Sequence, residues 1–415
     1  MPHSPLRLRP VSRALVGSAC ALALVTAAAC SDSDDTADNA PASTEAATTA
    51  PATAAPTTEA TTTMAPTTVA PTVPADLELF TERGPYAVGV VTVSLGDRST
   101  DIYYPVDPAA AEGKPTDSFA TRSIFPENLA ALVPPALDAS FDVGAVRDVE
   151  ASTGGPFPVA IYSHGYGGYR QIANSYVAHL ASWGFVAATT DHLERGIVSQ
   201  LGGSAPSFDD TDLEDVKRTI AALRTENAKA GGLLEGRVKI DSIGITGHSA
   251  GSRTALRAAT TNDDIDVFVS ISGALSFMGE AAPPVPAKPA LVIAGEDDKV
   301  VSADKSRAIY DALASPRYWV NIANAGHNSF TDICPTVLER GGLEQLRPFL
   351  GQFVDLAQDG CLAGVTDPVL VMKVLGHYTV AFLRTYLGGT DSTASLVTNI
   401  APALGDIALS AIEHA

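Results

Sequence analysis

Histidine and cysteine are scarce in this 415-residue chain, at 8 and 4 copies. No group of them has the spacing of a zinc site, so no structural metal is expected. Basic residues are also few: Lys and Arg number 27 against 47 Asp and Glu, for a net charge of −20. So acidic a surface disfavours nucleic acid and anionic membranes as partners. The apolar run 14–29 is too short and too rich in small residues to read as a membrane span. No internal repeat is visible.

What is present begins with an export signal. Arg7, Arg9 and Arg13 precede the apolar run. The run closes on "AAAC", and "SDSDD" follows at once, an arrangement similar to the processing site of bacterial lipoproteins. Residues 1–30 then form the signal, and Cys30 becomes the lipidated first residue of a cell-surface protein. Alanine stands three residues before Cys30 where leucine is usual, so a plain secretory signal is the alternative. Residues 31–75 are mostly Thr, Ala, Pro and Ser. They carry too little apolar surface to offset the entropy of ordering and read as a disordered tether. The remainder, 76–415, is large for one domain but within the range of an α/β fold with insertions. Cys20 leaves with the signal. Cys334 and Cys361 remain in the folded part, and two cysteines in an exported domain are expected to pair.

Along 76–415, strand-like and helix-like runs alternate. "YAVGVVTVSL" (86–95) and "STDIYYPV" (99–106) read as a hairpin across "GDR". "FPVAIYSHG" (157–165), "FVAATTDH" (185–192), "SIGITGHS" (242–249), "DVFVSISG" (266–273), "PALVIAGE" (289–296) and "YWVNIANA" (318–325) are nearly continuous apolar runs, as expected of strands buried on both faces. Helical spacing marks 171–184, 209–227, 252–259 and 302–315 between them. Residues 107–155 look irregular, with one candidate helix near 126–138. The sum is a mostly parallel sheet of about eight strands with an antiparallel start and helices on both faces. From about residue 331 the chain reads as a helical extension, with 367–387 apolar all round as a buried closing helix.

The stretch "ITGHSAGSRTALRAA" (245–259) holds Gly247-His248-Ser249-Ala250-Gly251, a G-x-S-x-G pattern between a strand and a helix. A nucleophile elbow needs small residues on both sides of its serine, because the turn is sharp and the helix packs close to the strand. A serine hydroxyl is a poor nucleophile at neutral pH and needs a base, itself oriented by an acid. In this arrangement the acid and then the histidine follow the serine along the chain. Downstream histidines are His327, His377 and His414. His377 falls in an apolar helix and His414 at the terminus, so His327, on the loop "NAGHNSF" after the last strand, is the candidate base. The acid is expected after "ALVIAG". Gly295 to Val301 follows G-x-x-D-x-x-V, favouring Asp298, with Asp297 as the alternative. An oxyanion needs backbone donors. The N–H of Ala250 supplies one, and that of Tyr166, in the Gly-rich "SHGYGGYR" loop, the other. Tyr166 and His248 are also candidate substrate contacts. His164 is read as a brace for that loop, and His192 as a residue that holds a loop or lines the pocket.

These residues resemble the α/β-hydrolase superfamily, and within it the bacterial esterases similar to platelet-activating-factor acetylhydrolase and dienelactone hydrolase. The resemblance is densest over 157–195 and continues through "GITGHSAG", "LVIAGEDDKVV" and "AGHNSFTD", spanning roughly 86–330. It implies an α/β-hydrolase fold, Ser249, Asp298 and His327 as a triad, and Tyr166 and Ala250 as the oxyanion hole. It also implies carboxylic-ester hydrolysis through an acyl-enzyme, without a cofactor, on short-acyl or lipid-type esters. Polyester hydrolases and cutinases are similar too, but this chain has Ala250 and Ser252 where they have Met and further glycines. It also has "SGALSF" where they carry a Trp. A peptidase using the same triad, and a hydrolase scaffold kept as a surface binding module, are the other readings.

Overall fold

In the computed structural model, the central strands turn apolar residues to both sides. In the strand Phe157–Ser163, Val159 and Ile161 enter one apolar cluster, and Ala160 and Tyr162 enter another. In Ala290–Gly295, Ala290, Val292 and Ala294 take the first side, and Leu291 and Ile293 the second. A period of two with apolar residues at both phases is stable only where helices cover both faces. The structure describes residues 73–415 except 132, 134–137, 202–209, 277–280, 340, 348–350 and 352. The expected export signal, Cys30 and the expected tether as far as residue 72 lie outside the described residues.

The described strands are β1 (Ala87–Ser94), β2 (Ser99–Val106), β3 (Ser118–Ala120), β4 (Ser140–Asp142), β5 (Val146–Arg147), β6 (Phe157–Ser163), β7 (Val186–Thr190), β8 (Val238–His248), β9 (Val267–Ile271), β10 (Ala290–Gly295), β11 (Arg317–Ile322) and β12 (Leu409–His414). Ten of them form one sheet in the order β12-β11-β10-β9-β8-β6-β7-β2-β1-β5, and β3 pairs with β4 apart from it. Strands β6 to β11 run parallel. β2 joins them antiparallel through β7, and β1 follows it antiparallel. This is the α/β-hydrolase architecture.

One face is covered by the helices Thr211–Ala228, Ala250–Thr261 and Ala303–Ala312, through residues such as Val216, Ile220, Leu256 and Ile309. Asn174–Ser182 and Pro368–Tyr386 cover the other, through Tyr176, Val177, Val374 and Phe382. The Pro368–Tyr386 helix starts cleanly: Asp367 accepts the N–H of Val369 at 2.9 Å, and Pro368 occupies the first turn, where no N–H is needed.

All eight expected strands are present, and the sheet goes two further. β5 lies within 107–155, which reads as irregular in sequence, and it adds a two-residue edge beside β1. β12 corrects the reading of the tail as helical: it pairs antiparallel with β11, from Tyr318 with His414 to Ile322 with Leu409. Its residues are mostly half-buried and lack the apolar alternation that announces a strand, so the ladder with β11 defines it. Of the candidate helix near 126–138, the described part is the short turn Glu127–Ala130.

The extension carries a small core of its own. Cys334 and Cys361 form a disulfide and sit fully buried with Val337, Leu343 and Val354. Closing a loop of 27 residues should stabilise the folded state by roughly 3–4 kcal/mol on the chain-entropy model. The double variant Cys334→Ala/Cys361→Ala is expected to lower the thermal midpoint by several degrees, measured by circular dichroism. An unchanged midpoint would show that the bridge closes a region that does not unfold with the rest.

Candidate active site

Strand β8 ends at His248 and a helix begins at Ala250, so the whole reversal rests on Ser249. Its backbone has φ 57° and ψ −123°, a conformation that costs a residue with a side chain. The surroundings enforce it. A Cβ on Gly247 would collide with the Gly251 carbonyl, and a Cβ on Gly251 would collide with the carbonyl of Ser163 in β6. Both glycines of the pentapeptide are therefore required by backbone-to-backbone contact. The Ser249 N–H donates to Ile271 O at 2.9 Å, tying the turn to β9. Ser249 keeps 8% of its surface exposed.

Asp298 and His327 follow the carboxyl ends of β10 and β11, which are neighbours in the sheet. His327 Nδ1 and Asp298 Oδ2 are 2.8 Å apart, and both residues are buried. The other Asp298 oxygen accepts the N–H groups of Val300 at 2.8 Å and Val301 at 2.7 Å. Burial pushes the Asp298 carboxyl up. The His327 hydrogen bond and charge and the two N–H groups outweigh burial and hold it below its ordinary value. Asp297 instead faces solvent, with Lys299 Nζ at 3.5 Å. The Asp298 contact leaves His327 Nε2 as the ring nitrogen available to a substrate or nucleophile. Among the described residues no hydrogen bond joins that ring to the Ser249 hydroxyl.

The Tyr166 loop lies against the elbow: a Cβ on Gly165 would sit 3.0 Å from the Cβ of Ser249. Among the described residues neither the Tyr166 nor the Ala250 N–H has an acceptor. The next two N–H groups of the loop are bonded. Gly167 N–H donates to Arg195 O at 2.8 Å, and Gly168 N–H to Gly165 O at 3.2 Å. His164 Nε2 accepts the His192 N–H at 2.9 Å, which leaves Nδ1–H to donate to Gly165 O at 2.8 Å. Burial, then the Arg195 charge, lowers His164 to about 4, so it stays neutral in this brace. The Tyr166 ring is half-buried and meets Phe353 edge-on, with centroids 6.3 Å apart.

His248, a substrate contact on the sequence reading, is placed differently. Its ring is 3% exposed, and its Nε2 lies 2.9 Å from the His327 carbonyl. Burial, followed by the His327 charge, drives its pKa down to about 3. The neutral ring donates Nε2–H to that carbonyl and ties the elbow to the His327 loop.

Beneath the Tyr166 loop lies a buried polar chain. His192 Nε2 is 2.9 Å from Ser163 Oγ, and its Nδ1 is 3.0 Å from Asp215 Oδ2. Arg195 donates to Ser163 Oγ at 2.7 Å and to the His164 carbonyl, and Arg98 reaches Asp215 at 2.8 Å. The sequence shows His192 and Arg195 only as "DHLERG" after a strand. Ser163, Arg98 and Asp215 carry no local signal, since partners such as Arg98 and Asp215 are 117 residues apart. Among the described residues no cluster of three or more His, Cys, Asp or Glu could hold a metal ion.

A lowered Asp298 pKa means the carboxylate stabilises the fold above its ordinary value, near pH 4, and that this contribution fades as pH falls through the lower folded value. The Asp298→Asn variant should therefore melt below the wild type at pH 7, and the gap should close below about pH 4. A gap independent of pH would mean the carboxylate charge does not contribute. Gly251→Ala should yield little folded protein, read as soluble yield and midpoint, because the added carbon has a backbone carbonyl in its place.

Residues 122–202 match the family of platelet-activating factor acetylhydrolase, isoform II. The matched span includes β6, the Tyr166 loop and β7, and it ends before Ser249. Over 350 residues the chain is 21% identical to the platelet-activating factor acetylhydrolase of Cavia porcellus, covering 74% of this chain and 77% of that protein. With the sheet order and the strand-to-helix turn at Ser249, these likenesses mark the chain as an α/β-hydrolase similar to the platelet-activating factor acetylhydrolases.

Proposed function

We propose that the protein is a serine hydrolase that cleaves carboxylic esters through an acyl-enzyme. The observation that carries the reading is the Asp298–His327 hydrogen bond, at the edge of the sheet where Ser249 turns. The likeness to acetylhydrolases supports an ester-hydrolysing enzyme of lipase or esterase type.

In this mechanism Ser249 Oγ attacks the ester carbonyl carbon and gives its proton to His327 Nε2. Asp298 holds the Nδ1–H of the ring and stabilises the imidazolium. The carbonyl oxygen gains charge and is met by the free N–H groups of Tyr166 and Ala250. The carbon–oxygen bond to the alcohol breaks, and the alcohol leaves with the proton from His327. Water then attacks the acyl-enzyme, His327 takes its proton, and the acid departs as Ser249 is regenerated. The steps draw on the chain, the ester and water. We extend the proposal to short-acyl or lipid-type esters and to an exported enzyme tethered through Cys30. The acidic chain would then meet its membrane through that anchor alone.

The test is hydrolysis of p-nitrophenyl esters from acetate to palmitate. Ser249→Ala is expected to reduce the rate to background. Asp298→Asn should lower kcat by about 10⁴-fold, because the imidazole loses the partner that fixes its tautomer. Asp297→Asn should leave the rate unchanged. A Ser249→Ala protein that hydrolyses these esters like the wild type sinks the proposal.

A further inference from the structure

The extension that begins near residue 331 reaches back to both loops of the candidate triad, and it does so through one carboxylate. Asp359 Oδ2 accepts the N–H of His327 at 2.8 Å and the N–H of Lys299, next to Asp298, at 3.1 Å. One oxygen thus joins the loop that carries the acid to the residue that serves as base. The surrounding contacts fix where that oxygen lies. The Asp359 carbonyl accepts the Asn328 N–H at 2.9 Å. Gly360 O accepts from Ser329 Oγ at 2.9 Å, and Leu356 O from Asn328 Nδ2 at 2.6 Å. Gly360 has φ +83° and packs so closely on Gly326 that neither position has room for a Cβ. Cys361, two residues beyond Asp359, is bonded to Cys334.

We propose that Asp359 is a positioning residue for ester hydrolysis, holding the Asp298 and His327 loops at the separation the proton relay needs. The proposal rests on the reading of Ser249, Asp298 and His327 as a triad. Asp298 bonds the His327 ring and so fixes its tautomer and tilt. Asp359 bonds the His327 backbone and so fixes where the ring starts from. The two constraints are independent, because a ring can keep its partner while the pair shifts relative to Ser249. A shift of about an ångström in such a group costs up to about 100-fold in rate. Asp359 is the residue of the extension that bonds both loops, and the disulfide holds the segment that carries it.

The experiment compares Asp359→Ala, Asp359→Asn and Ser249→Ala with the wild type, all as the full chain. Three readouts are taken: kcat and KM on p-nitrophenyl butyrate, the rate at which a fluorophosphonate labels Ser249, and the thermal midpoint. Asp359→Ala is expected to lose roughly 10- to 100-fold in kcat with KM unchanged, and labelling should slow in parallel. Asp359→Asn should recover most of the loss, because its amide oxygen accepts the same two N–H groups. Wild-type kcat in Asp359→Ala overturns the proposal. So does an equal loss in both variants that tracks a lowered midpoint. If Asp359→Ala does not fold, Asp359→Glu carries the test, since it moves the acceptor by one methylene and keeps the charge. A lowered kcat at unchanged midpoint then supports the role, and a wild-type kcat overturns it. Ser249→Ala separates the two levels. If it still hydrolyses ester, the triad reading fails. If it is inert while Asp359→Ala works as wild type, only the positioning role fails.

Discussion

Everything at this site hangs on the absence of two carbon atoms. Gly247 and Gly251 let the Ala250–Thr261 helix settle onto β8 and against the Ser163 carbonyl of β6. That contact leaves Ser249 no choice but a positive φ. A residue held in such a conformation costs of order 1–3 kcal/mol, and it persists only where its surroundings over-determine it. Here they are a ten-stranded sheet whose central strands are buried on both faces and a helix that lies in the apolar cluster of one of them. Relaxing the turn would lift that helix from the sheet.

The parallel sheet then supplies the rest by register. Gly295 pairs with Ile322, so the loops leaving β10 and β11 start side by side at the same edge as the elbow. Open α/β sheets gather ligands at that edge for the same reason. Short loops on parallel neighbours bring Asp298 to His327, although 29 residues separate them. What the sheet cannot fix is the final placement of those loops. His248 from below and Asp359 from the extension both bond the backbone of His327, one at its carbonyl and one at its N–H. His327 is therefore held by its ring and by its backbone on both sides of the Cα.

The sequence was most legible where a residue answers to its immediate neighbours. The six parallel strands announce themselves because burial on both faces demands unbroken apolar runs, as in "FPVAIYS". The elbow is legible because its two glycines must stand two places either side of the serine. β12 was not legible, since a half-buried edge strand need not alternate and its partner lies some ninety residues earlier. Asp359 was hidden for the same reason: its bonds to His327 and Lys299 cross 32 and 60 residues. The tie from the His248 ring to a carbonyl 79 residues away was hidden in the same way.

The buried chain under the Tyr166 loop bears on what makes a serine reactive. Ser163, His192 and Asp215 are joined at 2.9 and 3.0 Å in the order hydroxyl, imidazole, carboxylate. By residue type and bonding they copy an acyl-transfer triad. Yet Ser163 is fully buried, its oxygen also accepts from Arg195, and no carbonyl carbon can approach it. The same three side chains that elsewhere make a nucleophile here serve as internal scaffolding. Exposure, then, separates the two serines: Ser249 keeps 8% of its surface open, and Ser163 keeps none.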